Sequence, residues 1–120
     1  MRRILIIDDE DDIREVAAWA LRTVAGWFVD TAASGPDGIL RATAQPPDAI
    51  LLDVSMPGMD GPATLRQVQL DPSLGKIPVL FLTAKSPIGP YSGLGAVAVL
   101  AKPFDPRTLA RQISSALCWS

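Results

Sequence analysis

The chain has 120 residues, enough for one domain with a single hydrophobic core, and 48% of them are apolar. Its formal net charge is −2 with both signs scattered, so it offers no basic surface for nucleic acid or for a membrane. It has no histidine, so chemistry that needs imidazole must borrow it from another molecule, and its lone cysteine, Cys118, excludes an internal disulfide and suits a reducing cytoplasm.

The first element is read from residues 4–12, "ILIIDDEDD", where four apolar residues run into five consecutive carboxylates. Two arginines precede this run, but so short an apolar stretch ending in acid is not an export signal. Nowhere does the chain approach the roughly 20 apolar residues that cross a bilayer. Short apolar runs recur at 3–7, 27–32, 48–53, 77–83 and 96–101, and their lack of strict polar alternation predicts strands buried on both faces. Helical patterns lie between them. Over 12–25, Ile13, Val16, Ala17, Ala20, Leu21 and Val24 recur at helical spacing, with Asp11 and Asp12 as capping or first-turn acids. A weaker helix over 35–45 has Pro36 in its first turn and Ile39 and Leu40 facing inward. A third, 60–70, follows the turn "PGMDG" with Asp60 as cap. The last, 105–117, has Asp105 as cap and Leu109, Ile113 and Leu117 on one face.

Five strands alternating with helices predict an α/β fold, a doubly wound parallel sheet with helices on both faces. In such sheets the site forms at the carboxyl ends of the strands. The first strand ends in Asp8 and Asp9, the third in Asp53, the fourth in Thr83, and the fifth runs into Lys102. Three carboxylates from adjacent strands cannot all stay charged at close quarters without a cation. Oxygen ligands with open positions suit Mg²⁺. A divalent ion, an ammonium and a hydroxyl around a central carboxylate are the parts of phosphoryl transfer, with Asp53 as nucleophile. No glycine-rich phosphate loop of the form GxxxxGK[ST] is present, which argues against a nucleotide donor. Glu10 reads first as a solvated loop acid, with approach to the metal as its alternative, Trp19 and Trp27 as core or half-buried packing, and Cys118 and Trp119 as a fraying terminus.

The ordered motifs "IIDDEDD", "ILLDVSMPGMDG", "VLFLTAK" and "AKPF" resemble the receiver domain of two-component response regulators over essentially the whole chain, 1–120, as one receiver domain. The resemblance implies the flavodoxin-like (βα)5 fold with strand order 2-1-3-4-5. It implies Asp53 as phosphoacceptor, and Mg²⁺ bound by Asp9, Asp53 and the carbonyl of Ser55, with Asp8 acting through a metal-bound water. Thr83, Lys102 and the backbone N–H groups of Val54 and Ala84 would contact the phosphoryl group, and the Lys102–Pro103 peptide would be cis. The donor would be a phosphohistidine on a histidine kinase or histidine phosphotransfer protein, and output would be a phosphorylation-dependent contact with a downstream protein. The module would be a cytoplasmic phosphoacceptor, not a turnover enzyme, with no nucleic acid or membrane as partner.

Two departures from the family pattern stand out. Family members carry a switching aromatic three residues before the lysine, and here that residue is Val99. Only 18 residues separate Thr83 from Lys102, and 85–95, "KSPIGPYSGLG", holds two prolines and three glycines. The fourth helix is therefore expected to be shortened or replaced by a loop, and Lys85 to stand near the phosphoryl entrance. A receiver-like binding module without phosphorylation and an aspartate-nucleophile phosphatase of the haloacid-dehalogenase type are the competing readings. The complete Asp, Thr and Lys set argues against the first, and the lack of a cap and of a later acidic pair against the second.

Overall fold

The structure is a computed structural model, and it describes residues 2–84 and 93–119. Its strands are β1 (Arg3–Ile7), β2 (Phe28–Ala32), β3 (Ala49–Asp53), β4 (Val79–Thr83) and β5 (Ala98–Ala101). They form one parallel sheet in the order β2-β1-β3-β4-β5. The described residues also form four helices, α1 (Asp11–Ala25), α2 (Gly35–Ala44), α3 (Gly61–Leu70) and α4 (Leu109–Leu117). The shortened helix expected between the fourth and fifth strands, and Lys85, fall within 85–92, outside the described residues.

The inner strands β1, β3 and β4 are almost wholly apolar because the pleat sends alternate residues into two separate cores, whereas β2 and β5, expected to be buried on both faces, lie at the sheet edges and are only partly buried. Ile4 and Ile6 of β1, Ala49 and Leu51 of β3, and Leu80 and Leu82 of β4 pack under α1 and α4, against Ala17, Leu21, Leu109 and Ile113. Leu5 and Ile7, Ile50 and Leu52, and Val79 and Phe81 point the other way, under Ala42 of α2 and Leu65 and Val68 of α3. The same parity carries beyond the last apolar residue of each strand. Asp8 continues the row of Ile4 and Ile6, Asp53 that of Ala49 and Leu51, and Lys102 that of Ala98 and Leu100. The backbone remains extended enough to keep that parity: Asp8 N–H donates to Ala32 O at 3.1 Å and Lys102 N–H to Thr83 O at 2.7 Å.

Helix faces depart from the sequence reading where an apolar residue lies on the outer side. Val16, Val24 and Trp19 of α1 and Leu40 of α2 are all exposed, Trp19 at 59% and Leu40 at 69%. Gly35, Gly38 and Ala42, with Ile39 beside them, form the inner face of α2. Gly38 is needed there, since a Cβ at this position would stand 2.3 Å from the Ile7 side chain. The last helix begins at Leu109, not at 105. Asp105 accepts from the Arg107 N–H at 2.8 Å, and its carbonyl accepts from Thr108 and Leu109, so 105–108 is a turn closed by a local side-chain bond. Trp119 does not fray. Its ring meets Trp27 edge-on at 5.3 Å, and the Arg2 guanidinium lies 4.4 Å from its centre.

α3 is set against the end of β3 by a close backbone approach. Asp60 caps it, accepting from Ala63 N–H at 2.9 Å, and Gly61 N–H donates to Val54 O at 2.8 Å. A Cβ on Gly61 would lie 2.6 Å from the Asp53 carbonyl oxygen and 2.7 Å from Val54 Cα, backbone atoms with no freedom to yield. Gly61→Ala is therefore expected to destabilise the chain by about 2 kcal/mol, as overpacking does, measured by urea unfolding. Ser34→Ala, which removes the cap that bonds Asp37 N–H, should cost about 1 kcal/mol.

Candidate functional site

Strand order reverses about β1 and β3, and this is where the crevice of an open parallel sheet lies. The register pairs Ile7 with Leu52, so the next residues, Asp8 and Asp53, emerge side by side from neighbouring strands. Both are buried, Asp8 at 0% and Asp53 at 3% exposure. Two buried carboxylates would not hold their charge unaided, and Lys102 supplies the balance. Its ammonium stands 3.0 Å from Asp8 Oδ2, 3.1 Å from Asp53 Oδ1 and 3.3 Å from Glu10 Oε1. The Lys102–Pro103 peptide is cis, as the resemblance implies.

One ammonium does not satisfy the acids. Asp8 Oδ2 is at ion-pair distance from Lys102 but out of line for a hydrogen bond, and the buried Asp53 Oδ2 has no hydrogen-bond donor among the described residues. Burial, then repulsion from Asp8, pushes the Asp53 carboxyl up to about 6, against the opposing pull of Lys102; contact with the Asp9 side chain adds to the rise. Burial alone would lower Lys102, but contact with and attraction to Asp8, then Asp53, outweigh it and hold the ammonium above the ordinary lysine value.

The β1–α1 loop is fixed from below. Glu10 N–H donates to Asp8 Oδ1 at 2.9 Å, and Arg14 Nη1 donates to the Asp8 carbonyl at 2.7 Å while Nη2 pairs with Asp11. Arg14 is a positioning residue that sequence reasoning missed; its place one turn into α1 is the only signal it gave. Asp11 and Asp12 lie in the first turn of α1, and Glu10 takes the N-cap position without a side-chain capping bond.

The structure adds three details to the expected site. Glu10 is not merely solvated, because it reaches Lys102. One carboxylate oxygen each from Asp8, Glu10 and Asp53 lie within 4.8 Å of one another, a set able to hold a cation. Asp9, expected as a direct ligand, is half-buried with its side chain in contact with that of Asp53. The Val54 N–H, expected to face a phosphoryl group, donates instead to Leu82 O at 3.1 Å, because the sheet ladder continues one residue past Asp53. Ser55 N–H is the one aimed at the Asp53 carboxylate, at 3.4 Å from Oδ1. Thr83 is buried at the end of β4, and Ala84 beside it is exposed.

The donor set is oxygen only, carries more negative charge than Lys102 offsets and includes a buried oxygen without a donor among the described residues, which fits a hard divalent cation. Without such a cation, Asp53 binds a proton more readily when folded than when unfolded, from its ordinary value of 3.8 up to about 6. Its contribution to stability therefore falls as pH rises through that window. In metal-free buffer Asp53→Asn should be more stable than the parent by about 2 kcal/mol at neutral pH. The gain should shrink as the pH falls from about 6 to about 4, read from urea unfolding at each pH.

Comparison with known proteins matches residues 4–114 to the model of the response regulator receiver domain. Response regulator PleD of Caulobacter vibrioides is 40% identical over 117 residues, 94% of this chain and 25% of that protein. The transcriptional regulatory protein AfsQ1 of Streptomyces coelicolor is 38% identical over 98% of this chain and 52% of its own length. The chain thus spans a quarter to about half of these regulators. Among solved structures, chemotaxis protein CheY4 of Vibrio cholerae aligns with a TM-score of 0.88 at 31% identity, covering 97% of this chain and 98% of that one. Sequence match, strand order and the acidic cluster at the switch point agree: the chain belongs to the response regulator receiver domains, signalling modules of two-component systems.

Proposed function

We propose that this chain is a phosphoacceptor that takes a phosphoryl group onto Asp53 from a phosphohistidine of a histidine kinase or histidine phosphotransfer protein. The observation that carries the reading is the buried Asp53 carboxylate at the sheet crevice, held by Lys102 at 3.1 Å with its second oxygen lacking a donor among the described residues. The curated relatives, which include a response regulator and transcriptional regulatory proteins, support it.

An Asp53 oxygen attacks phosphorus, the P–N bond to the donor imidazole breaks, and the imidazole leaves with the bonding pair and takes up a proton. Lys102 would offset charge on the phosphoryl oxygens, and the Thr83 hydroxyl and the N–H groups of Ser55 and Ala84 would receive them. Mg²⁺, held by Asp53 with Asp8, Asp9 and the Ser55 carbonyl, would neutralise charge on the phosphoryl oxygens when bound. Asp53 is poised for attack at neutral pH because its carboxyl, although raised to about 6, is mostly ionised there. Histidine supplied by a partner accounts for its absence from this chain.

Phosphorylation should alter the surface that meets a downstream protein. Val99 half-buries opposite Phe81 on the face of α2 and α3, so the aromatic ring of that layer belongs to β4. A β-branched side chain at 99 has few rotamers, and output here does not run through a swinging ring at that position.

Intact mass after incubation with phosphoramidate and Mg²⁺ tests the reading. The expected result is a gain of one phosphoryl group, absent without Mg²⁺ and absent in Asp53→Asn. No gain in folded protein would overturn it in favour of a receiver-like binding module.

A further inference from the structure

Glu10 is the member of the cluster that the family resemblance leaves without a role and that the geometry puts to use. It is the residue that follows the acidic pair at the end of β1, at the N-cap of α1, and it makes no capping bond with its side chain. Instead its carboxylate turns back over the crevice to Lys102, 3.3 Å from the ammonium. The three carboxylates on that ammonium differ in one respect. The side chains of Asp8 and Asp53 are 1% and 3% exposed, whereas that of Glu10 is 61% exposed. The inner two are fixed by the strands, and the outer one comes from solvent. An exposed ion pair contributes little to stability, so holding Lys102 is a poor reason for Glu10 to be there.

A stronger consequence is electrostatic. A Glu10 oxygen lies within 4.8 Å of oxygens of both Asp8 and Asp53. Any cation drawn to Asp53 Oδ2, which has no donor among the described residues, therefore sits in the field of Glu10 as well. At that range one unit of negative charge acting on a divalent ion matters even when water screens most of it. Lys102 already spends its single positive charge on three acids, so the site keeps an excess negative charge to which Glu10 contributes one unit.

We propose that Glu10 is a positioning residue of the phosphoryl site: it faces the buried Asp8 and Asp53 carboxylates from solvent, shares Lys102 with them, and sets the affinity of the site for a divalent cation. The inference rests on the metal-dependent phosphoacceptor reading, and deepens it by naming the residue that tunes the cation. Because Glu10 is exposed, replacing it does not disturb the core.

The experiment is Mg²⁺ titration by calorimetry on the whole chain at neutral pH. It compares the parent with Glu10→Gln, Glu10→Asp and, as a charge-matched control on the exposed side of α1, Glu15→Gln. Glu10→Gln should weaken Mg²⁺ binding by about five- to tenfold, Glu10→Asp should restore most of the affinity, and Glu15→Gln should change it less than about twofold. Unchanged affinity in folded Glu10→Gln would overturn the proposal. Equal weakening by Glu15→Gln would also overturn it, because net charge alone would then be responsible. Phosphoramidate labelling at saturating Mg²⁺ separates this from the broader reading. Labelling of Glu10→Gln should persist once the metal is supplied in excess, whereas failure of the parent to label would defeat the phosphoacceptor reading and leave the Mg²⁺ comparison to judge Glu10 by itself.

Discussion

Everything at the carboxyl edge of this sheet follows from placing two carboxylates, Asp8 and Asp53, out of water beside one ammonium. Burying charge is expensive unless it is paired and hydrogen-bonded, and here the pairing is incomplete. Lys102 meets three acids, Asp53 Oδ2 has no hydrogen-bond donor among the described residues, and the Asp53 carboxyl is driven upward by burial and by Asp8. The protein tolerates this strain because the rest of the fold overdetermines it. A site that is short of positive charge when empty is one that a cation and a phosphoryl group can complete.

The scaffold that imposes the arrangement is built from ordinary parts. Two cores, one on each face of the sheet, fix the strands so firmly that the residue after each apolar run has little choice of direction. Local bonds then hold the loops: Arg14 on the Asp8 carbonyl, Glu10 N–H on the Asp8 side chain, the Asp60 cap, and the backbone bond from Gly61 to Val54. The last of these needs glycine, because a side chain at 61 would meet the backbone of Asp53 itself. Stability and the proposed chemistry thus meet at Asp53 from two sides, through its carbonyl and through its carboxylate.

Much of this was legible from the chain alone. The five apolar runs became the five strands, and the acids, Thr83 and Lys102 fell at strand ends as read; burial on both faces held for the inner strands but not for the edge strands β2 and β5, which are only partly buried. The alternation that brings Asp8, Asp53 and Lys102 to one face of the sheet emerged only with the strand register. Side-chain environment was less accessible. Leu40, Val16, Val24 and Trp19 are apolar yet exposed, because an apolar residue on a helix is not bound to face inward. Small residues instead form the inner side of α2, where Gly38 lets it close on Ile7. Trp119 looked like a loose end, but a ring that finds both Trp27 and Arg2 is held. Glu10 and Arg14 carry no pattern that separates them from other surface charges. Their roles come from a turn of the β1–α1 loop that only coordinates reveal.

The central claim is that the acidic cluster is a cation site whose unrelieved repulsion is part of the apo protein's energy. Its most direct test is the unfolding free energy of the parent chain at about neutral pH as Mg²⁺ is raised from zero at constant ionic strength. The account predicts a rise that follows occupancy, reaching about 2.7 kcal/mol when free Mg²⁺ is about 100 times its Kd. A stability that does not change with Mg²⁺ would contradict it, and would mean that Lys102 alone is enough for these carboxylates.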